Sequence, residues 1–407
     1  MTDFDVLIVG AGPAGTTAGT LLAREGRSVL IVDKATFPRD KICGDAISGK
    51  SVDALKALGL IDQMQTGPTI DSWGILFSSA AGDEVAIPFT KDYTKPIPPG
   101  YLATRVDFDE MLLNTAIDAG CTVWQDTAVS SLVRDGEAVT GITIKRDGEV
   151  QTLHAPLVLG ADGAYSVVAR ELGMTQLDED HYYASVRGYY EGVTGFLDHH
   201  FIELHFVEEA APGYFWIFPM PDGKANVGLV VLSRTVKEKG LKLKRLLDEM
   251  MAHPRFAHRF LNAKPLGTPK GWGLPLASKP KPMAGNGWML LGDAASLIDP
   301  FTGEGIGNAM VSGMHAAQWA SKALDASDTS KAFLSGYEAE VLAVLKDEIR
   351  ISTTLQRMLR WKWLFNTIIR KASRSDELAD TISCMFDDLS ARSRLTSPMF
   401  YLRVLMA

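Results

Sequence analysis

The chain is poor in cysteine. Cys43, Cys121 and Cys384 are the three thiols in 407 residues, and no Cys-x-x-Cys pair occurs. That excludes a disulfide framework and a cysteine-based zinc ribbon, and it fits a reducing compartment. Histidine is also scarce, with eight residues. None falls in H-x-x-x-H or mixed His/Cys spacing, so no metal site is expected. No G-x-S-x-G elbow supports a serine hydrolase. No apolar run reaches the roughly 18 residues of a membrane-spanning helix. A basic excess is missing too: the net charge of -8 argues against nucleic acid as a partner. There is no internal repeat and no low-complexity tract. No signal-peptide pattern precedes the first strand, so a cytoplasmic location is expected.

What remains is an ordinary globular composition, 46% apolar and 22% charged. The length allows two or three domains around a large core. The first motif is "DFDVLIVGAGPAGTTAGTLLAREGRSVLIVDK". A short apolar strand, Val6 to Val9, runs into Gly10-Ala11-Gly12-Pro13-Ala14-Gly15. A helix with small early residues follows, then a second strand ending at Asp33 and Lys34. Gly10 permits the tight turn, Gly12 lets backbone approach a pyrophosphate, and Gly15 lets helix pack on strand. The helix N-terminus offers free N–H groups to phosphate. Asp33 stands where a ribose-binding acid is expected. A dinucleotide site follows, and this motif alone leaves NAD(P) and FAD open.

Two later strands each deliver an acid at their C-terminal end, where ligands sit in open α/β sheets. One is "PLVLGADG", ending at Asp162, with Ser166 opening a helix. The other is "WMLLGDAAS", ending at Gly292-Asp293. With GAGPAG, the GADG and GDAA segments resemble the FAD-binding signature of the para-hydroxybenzoate hydroxylase-like flavoproteins. The resemblance implies that Asp293 contacts the linking chain of FAD and that Asp162 lies near the same cofactor. "ATRVDFDEML" matches the family stretch in which Arg105 touches FAD; read alone, it is a helix start with Asp107 as N-cap. "DTAVSSLV" resembles the strand whose backbone passes the adenine near Val129.

Two further segments narrow the resemblance to the geranylgeranyl reductase group. "FPRDKICGDAIS" (37–48) is similar to that group's F-P-R-x-K-x-C-G segment. "YFWIFPMPDGKANVG" is similar to its Y-x-W-x-F-P segment with a downstream glycine. One departure stands out: the group often has Gly-Gly after the cysteine, and here Gly44 is followed by Asp45. The resemblance implies that Cys43, Gly44 and Asp45 lie by the flavin. It also implies that the turn at Pro300, Gly303 and Gly305 passes the ring, and that the helix from Ile306 aims its N–H groups at it. Strand alternation puts Tyr214, Trp216 and Phe218 on one face and Phe215 and Ile217 on the other. That face is either sheet core or, as the resemblance implies, with Pro219, the wall of an isoprenoid pocket.

The function so implied is an FAD-dependent reductase saturating an isoprenoid chain on a lipid, quinone or pigment precursor. Its electron donor would be NAD(P)H or a reduced carrier protein such as ferredoxin. Cys43, Asp45 and Tyr214 are the candidates to supply a proton. The alternatives are an FAD-dependent monooxygenase and a non-catalytic lipid-binding or electron-relay flavoprotein. A halogenase is disfavoured, because its W-x-W-x-I-P motif is replaced.

The expected fold class is α/β. A discontinuous Rossmann-like FAD domain (1–75, 100–175, 275–325) would hold an inserted antiparallel-sheet substrate domain (76–99, 176–274), with a helical region at 326–407. Within the insert, "TVKEKGLKLKRLLDEMMAH" reads as one helix. In the helical region, "LQRMLRWKWLFNTIIRKAS" is basic, aromatic and free of acid. It reads either as a helix lying on an anionic membrane surface through 355–375, peripheral on the cytoplasmic face, or as a helix packed on the body. The apolar tail "SPMFYLRVLMA" would dock on the body or close the pocket.

Overall fold

The computed structural model describes residues 3–174 and 177–375. Four-residue apolar runs form its first sheet. Val6–Val9, Val29–Val32 and Leu157–Gly160 pair in parallel and are buried throughout, as strands covered on both faces must be. Thr122–Trp124 and Trp288–Leu290 extend the parallel set on either side. Ala284–Gly285 adds one antiparallel edge, so the sheet has six strands.

The helix Pro13–Arg24 follows the first strand, with proline in its opening turn, where a missing N–H costs nothing. It packs against the helix Ile306–Ala326. The approach is close: a Cβ on Gly313 would stand 2.5 Å from the carbonyl oxygen of Ala14. At Gly15 the helix meets its own strand, because a Cβ there would stand 2.0 Å from the Gly10 carbonyl oxygen. The helix Arg105–Asp118 lies on the same side; its N-cap is Thr104, whose hydroxyl accepts from Asp107 N–H. Asp107 therefore sits inside the first turn rather than at the cap.

A second, eight-stranded sheet carries the other half of the molecule. Tyr182–Glu191, Lys224–Leu232 and Tyr214–Met220 form its antiparallel centre. Gly74–Ser78 joins it through a parallel pairing with Ile202–His205, and Glu84–Pro88 follows. Alternation along Tyr214–Met220 divides the cores. Tyr214, Trp216 and Phe218 pack on one face; Phe215 and Ile217 pack on the other with Leu247 and Phe256. Beneath that second face Arg259 forks onto Glu203, and His205 bridges Glu203 and Ser78. Ser78 is fully buried, lies outside the main cavity and also accepts from Arg255, so the Ser-His-Glu alignment stands within a packed hydrogen-bond network.

Two helices expected to be continuous are broken. Gly240, left-handed at φ 59°, separates Ser233–Lys239 from Leu243–Met251. The basic aromatic segment is shared between the end of Lys331–Met358 and a separate helix, Lys362–Ala372. The inner side of that last helix packs Leu364, Phe365, Ile368 and Ile369 against the aromatic core. Its neighbours Trp361 and Trp363 are 60% and 64% exposed. The segment packs on the body along one side, and its other side is open to solvent. No helix among the described residues is long and apolar enough to cross a membrane. Cys384 and the apolar tail lie outside the described residues.

Replacing Gly15 with Val is expected to wedge the first helix off its strand and lower stability by about 1–3 kcal/mol. A lower denaturant midpoint with loss of retained flavin checks this.

Candidate active site

The strand ends of the first sheet and the aromatic face of the second enclose one cavity of about 530 Å³. Gly10, Gly12, Pro13, Ala14, Asp33, Lys34, Arg105, Val129, Asp162, Gly292 and Asp293 line one side of it. Cys43, Gly44 and Asp45 line the middle, with Gly303, Gly305 and Ile306. Tyr214, Trp216 and Phe218 line the far side with Ile75, Ile202 and Leu204. Residues scattered over most of the chain therefore meet around one space.

The first side suits a dinucleotide. A Cβ on Gly12 would meet only the Arg39 guanidinium, 3.9 Å away, so the backbone there is bare toward the cavity. No side chain caps the helix that follows, which leaves its first N–H groups available to a phosphate. Arg39 and Lys41 add positive charge to the wall. Asp33 accepts from Ala11 N–H and Ala35 N–H, both at 2.8 Å, and its remaining lone pairs can accept from ribose hydroxyls. Asp293 receives Lys41 at 3.2 Å. These are the donors and acceptors that an FAD requires of a protein.

Charge beneath this wall is fixed by one buried carboxylate. Arg105 forks onto Asp109 at 2.6 and 2.7 Å, and Arg39 reaches the same group at 2.7 Å. Burial opposes ionisation of Asp109, but the two guanidiniums outweigh it and hold its carboxyl below the ordinary value. The result is a net positive wall of fixed geometry.

Several residues have duties other than those expected. Asp162 lines the cavity, yet its oxygens cap the next helix: they accept from Ser166 Oγ and from the N–H groups of Val167 and Val168. Ala11, Gly15, Pro219 and Pro300 do not line the cavity. Pro219 shares the parity of Phe215 and Ile217, so it belongs to the opposite face of the sheet. The Pro300 carbonyl accepts from Tyr183 at 2.9 Å, behind the wall. The helix at Ile306 also differs, because Glu304 accepts from Gly307 N–H at 2.6 Å and occupies one of the donors expected to face the ring.

The three proton-donor candidates separate clearly. Burial pushes the Cys43 thiol up, against the pull of Arg105, so it stays protonated and weakly acidic. Tyr214 donates a hydrogen bond to the Thr302 carbonyl, and burial raises its pKa well above that of free tyrosine. Asp45 is fully buried, and burial pushes its carboxyl up to about 6 against the pull of Arg187. Its Oδ2 accepts from Tyr189 and from Asn226 at 2.9 Å, and its Oδ1 has no protein partner.

Sequence reasoning missed Arg39, Lys41, Arg187, Tyr189 and Asn226. Arg39 and Lys41 lay inside the quoted FPRDK segment and could have been found there. Asn226 lay inside the quoted YFWIFPMPDGKANVG segment, while Arg187 and Tyr189 carry no motif, since their partners on the cofactor loop lie about 140 or more positions away in sequence. The long C-terminal helix adds Glu348, Ile351 and Ser352 to the wall, which composition did not signal.

A dinucleotide cradle facing an apolar, aromatic chamber across one cavity defines an FAD-dependent oxidoreductase. The family model for an FAD binding domain matches residues 3–352, and the chain belongs to that family. Within it, the chain belongs with the geranylgeranyl-type reductases. It is 32% identical to a menaquinone reductase of Mycolicibacterium smegmatis, over 78% of this chain and 76% of that protein. It is 31% identical to digeranylgeranylglycerophospholipid reductase 1 of Methanopyrus kandleri, over 88% and 91%. Among solved structures it shares its fold, at TM-score 0.80, with a geranylgeranyl bacteriochlorophyll reductase-like protein of Thermoplasma acidophilum (24% identity; 99% and 98% covered). A flavin-dependent brominase, Bmp2, is equally similar in fold, at TM-score 0.80 and 23% identity over 98% and 99% of the two chains.

Replacing Asp109 with Ala strands Arg105 and Arg39 beside each other. Stability is expected to fall by about 3–5 kcal/mol, read by chemical denaturation. Because the folded Asp109 pKa is depressed, its contribution is present above the unfolded carboxylate value. The wild-type advantage over the variant is expected to fade as pH drops through the folded value.

Proposed function

We propose that this protein reduces carbon–carbon double bonds of an isoprenoid chain, carried on a lipid, quinone or pigment precursor. The supporting observation is the continuity of the cavity. The FAD cradle opens directly onto the face of Tyr214, Trp216 and Phe218, with aliphatic side chains beyond. An apolar chain entering there gives up its water contacts to aromatic and aliphatic surface, worth about 25 cal/mol per Å² buried. The curated relatives named for menaquinone and for digeranylgeranylglycerophospholipid agree with such a substrate.

Bound FAD supplies the hydride-transfer chemistry. The Gly10–Ala14 turn, Asp33, Lys34, Arg105, Val129, Gly292 and Asp293 are the residues we assign to holding it. The chain's other task is to grip an unactivated alkene and exclude water from it. Phe218 is central to that grip: a Cβ on Gly44 would stand 2.8 Å from its ring, so ring and loop close against each other. The electron donor in this reading is NAD(P)H bound in passing or a reduced carrier such as ferredoxin. One βαβ nucleotide cradle is present among the described residues.

Anaerobic incubation of chemically reduced holoprotein with geranylgeranyl compounds, read by mass, tests the reading. A gain of two hydrogens per double bond is expected. Oxygen insertion in air without any such gain would replace the reductase by the monooxygenase. Phe218→Ala is expected to raise KM about 10-fold or more, as a large buried ring is lost from the wall.

We also propose that the outer side of the last helix rests on an anionic lipid surface. Exposed Trp361 and Trp363 stand beside exposed Arg357, Arg360 and Arg370, and no acid occurs from 355 to 375. Liposome flotation is expected to drop on replacing Trp361 and Trp363 with Ser, with thermal stability unchanged. Flotation that survives both this change and Arg357→Glu with Arg360→Glu would sink the assignment.

A further inference from the structure

Asp45 occupies a backbone position made for glycine. Its φ is +67°, in the left-handed region that costs an ordinary residue free energy. Its side chain is fully buried, which penalises a carboxylate again. A glycine would relieve both costs. The chain keeps an acid there nonetheless, and builds a setting around it.

That setting fixes one oxygen and leaves the other without a protein partner. Asn226 donates to Asp45 Oδ2 and to the Cys43 carbonyl, at 2.9 and 2.8 Å. Asn226 is itself oriented by Trp216, whose indole N–H donates to its Oδ1 at 2.9 Å. Tyr189 donates to the same Asp45 oxygen, and the Arg187 guanidinium lies 4.1 Å over the Tyr189 ring. Arg187 in turn holds the loop through the Lys41 and Cys43 carbonyls and Asp40. Asp45 Oδ1 receives nothing from the protein, and the residue lines the cavity. A buried oxygen without a partner is rare, and one in a cavity wall points to a ligand.

We propose that Asp45 is the residue that delivers the proton to the alkene, through its Oδ1, with Tyr189 and Asn226 as positioning residues. This rests on the reductase reading above. One alkene carbon takes hydride from the reduced FAD, which is oxidised by two electrons; the other carbon takes the Asp45 proton. The π bond breaks, two C–H bonds form, and the Asp45 carboxylate regains a proton from water. NAD(P)H or the reduced carrier restores the cofactor.

The groups facing Asp45 are Cys43 on its own loop, Arg105 on the helix behind, Arg187 and Tyr189 on one strand, and Asn226 on the next. Burial raises the carboxyl to about 6, so the acid form that donates is present below that pH and lost above it. Proton delivery is therefore expected to slow as pH rises through about 6. Tyr189 and Asn226 favour the charged form, so removing either hydroxyl or amide moves the midpoint up.

The experiment compares holoenzyme of wild type, Asp45→Asn, Asp45→Gly and Tyr189→Phe. Alkene reduction by the pre-reduced protein is followed against pH. Infrared spectroscopy follows the carbonyl band of a buried protonated carboxylic acid over the same range. Wild type is expected to show a band that titrates near the rate midpoint. Asp45→Asn and Asp45→Gly should lack it and react on the order of 100-fold slower with no such pH limb. Asp45→Gly should also melt at higher temperature, which separates the loss from misfolding. Tyr189→Phe should shift band and rate midpoint upward together. A wild-type rate and profile in Asp45→Asn, or no titrating band in wild type, overturns the donor role alone. Wild-type protein that reduces no prenyl substrate overturns the reductase reading, and the donor role with it.

Discussion

The molecule is organised around the carbonyl oxygen of Cys43. Arg187 and Asn226, on neighbouring strands of the large sheet, both donate to it, at 3.2 and 2.8 Å. The loop that carries Cys43 belongs to the cofactor side of the cavity, so this bonding joins the two halves. Hydrogen bonds from a charged donor in a buried place are among the stronger ones. Their position matters more than their strength: they set how far the aromatic face stands from the cradle. A shift of the loop would change the depth of the chamber, the exposure of Asp45 and the contact between Gly44 and Phe218 at once.

That joint also explains why two separated motifs, KICGD and YFWIFP, occur together. Read along the chain, YFWIFP is an aromatic strand and KICGD a loop. In space Trp216 orients Asn226, and Asn226 orients both Cys43 and Asp45. The tryptophan is therefore a wall residue by its ring and a scaffold residue by its N–H. Tyrosine or tryptophan at a buried site commonly combines apolar area with one satisfied polar atom in this way.

Much of this was legible in the sequence, because the signals were local. The Gly10–Gly15 turn, the acid-tipped strands and the alternation of Tyr214, Trp216 and Phe218 depend on spacing within a few residues. The family resemblance supplied FAD and the reductase class. What stayed hidden depends on distant partners. Asp33 and Asp162 are read as ligand acids from position, while their shared duty toward backbone N–H groups depends on how the loops close. Pro219 was grouped with the pocket by motif, and strand parity sends it to the other face. Arg187 and Tyr189 sit in an unremarkable strand, Asn226 stands in the quoted segment without a signal of its own, and only tertiary pairing gives the three a role.

The long helix Lys331–Met358 gives the cavity Glu348, Ile351 and Ser352, and none of its lining residues comes later. The match to the FAD binding domain family also ends at residue 352. The chamber and the recognisable family thus stop at the same turn of one helix. The segment that follows lines none of the cavity, yet its Leu364, Phe365 and Ile368 back the core that carries Tyr214, Trp216 and Phe218. The shape of the chamber therefore depends on a helix that touches none of its space and that the family match does not reach, so a change at Phe365 would be felt by a bound chain only through the rings in between.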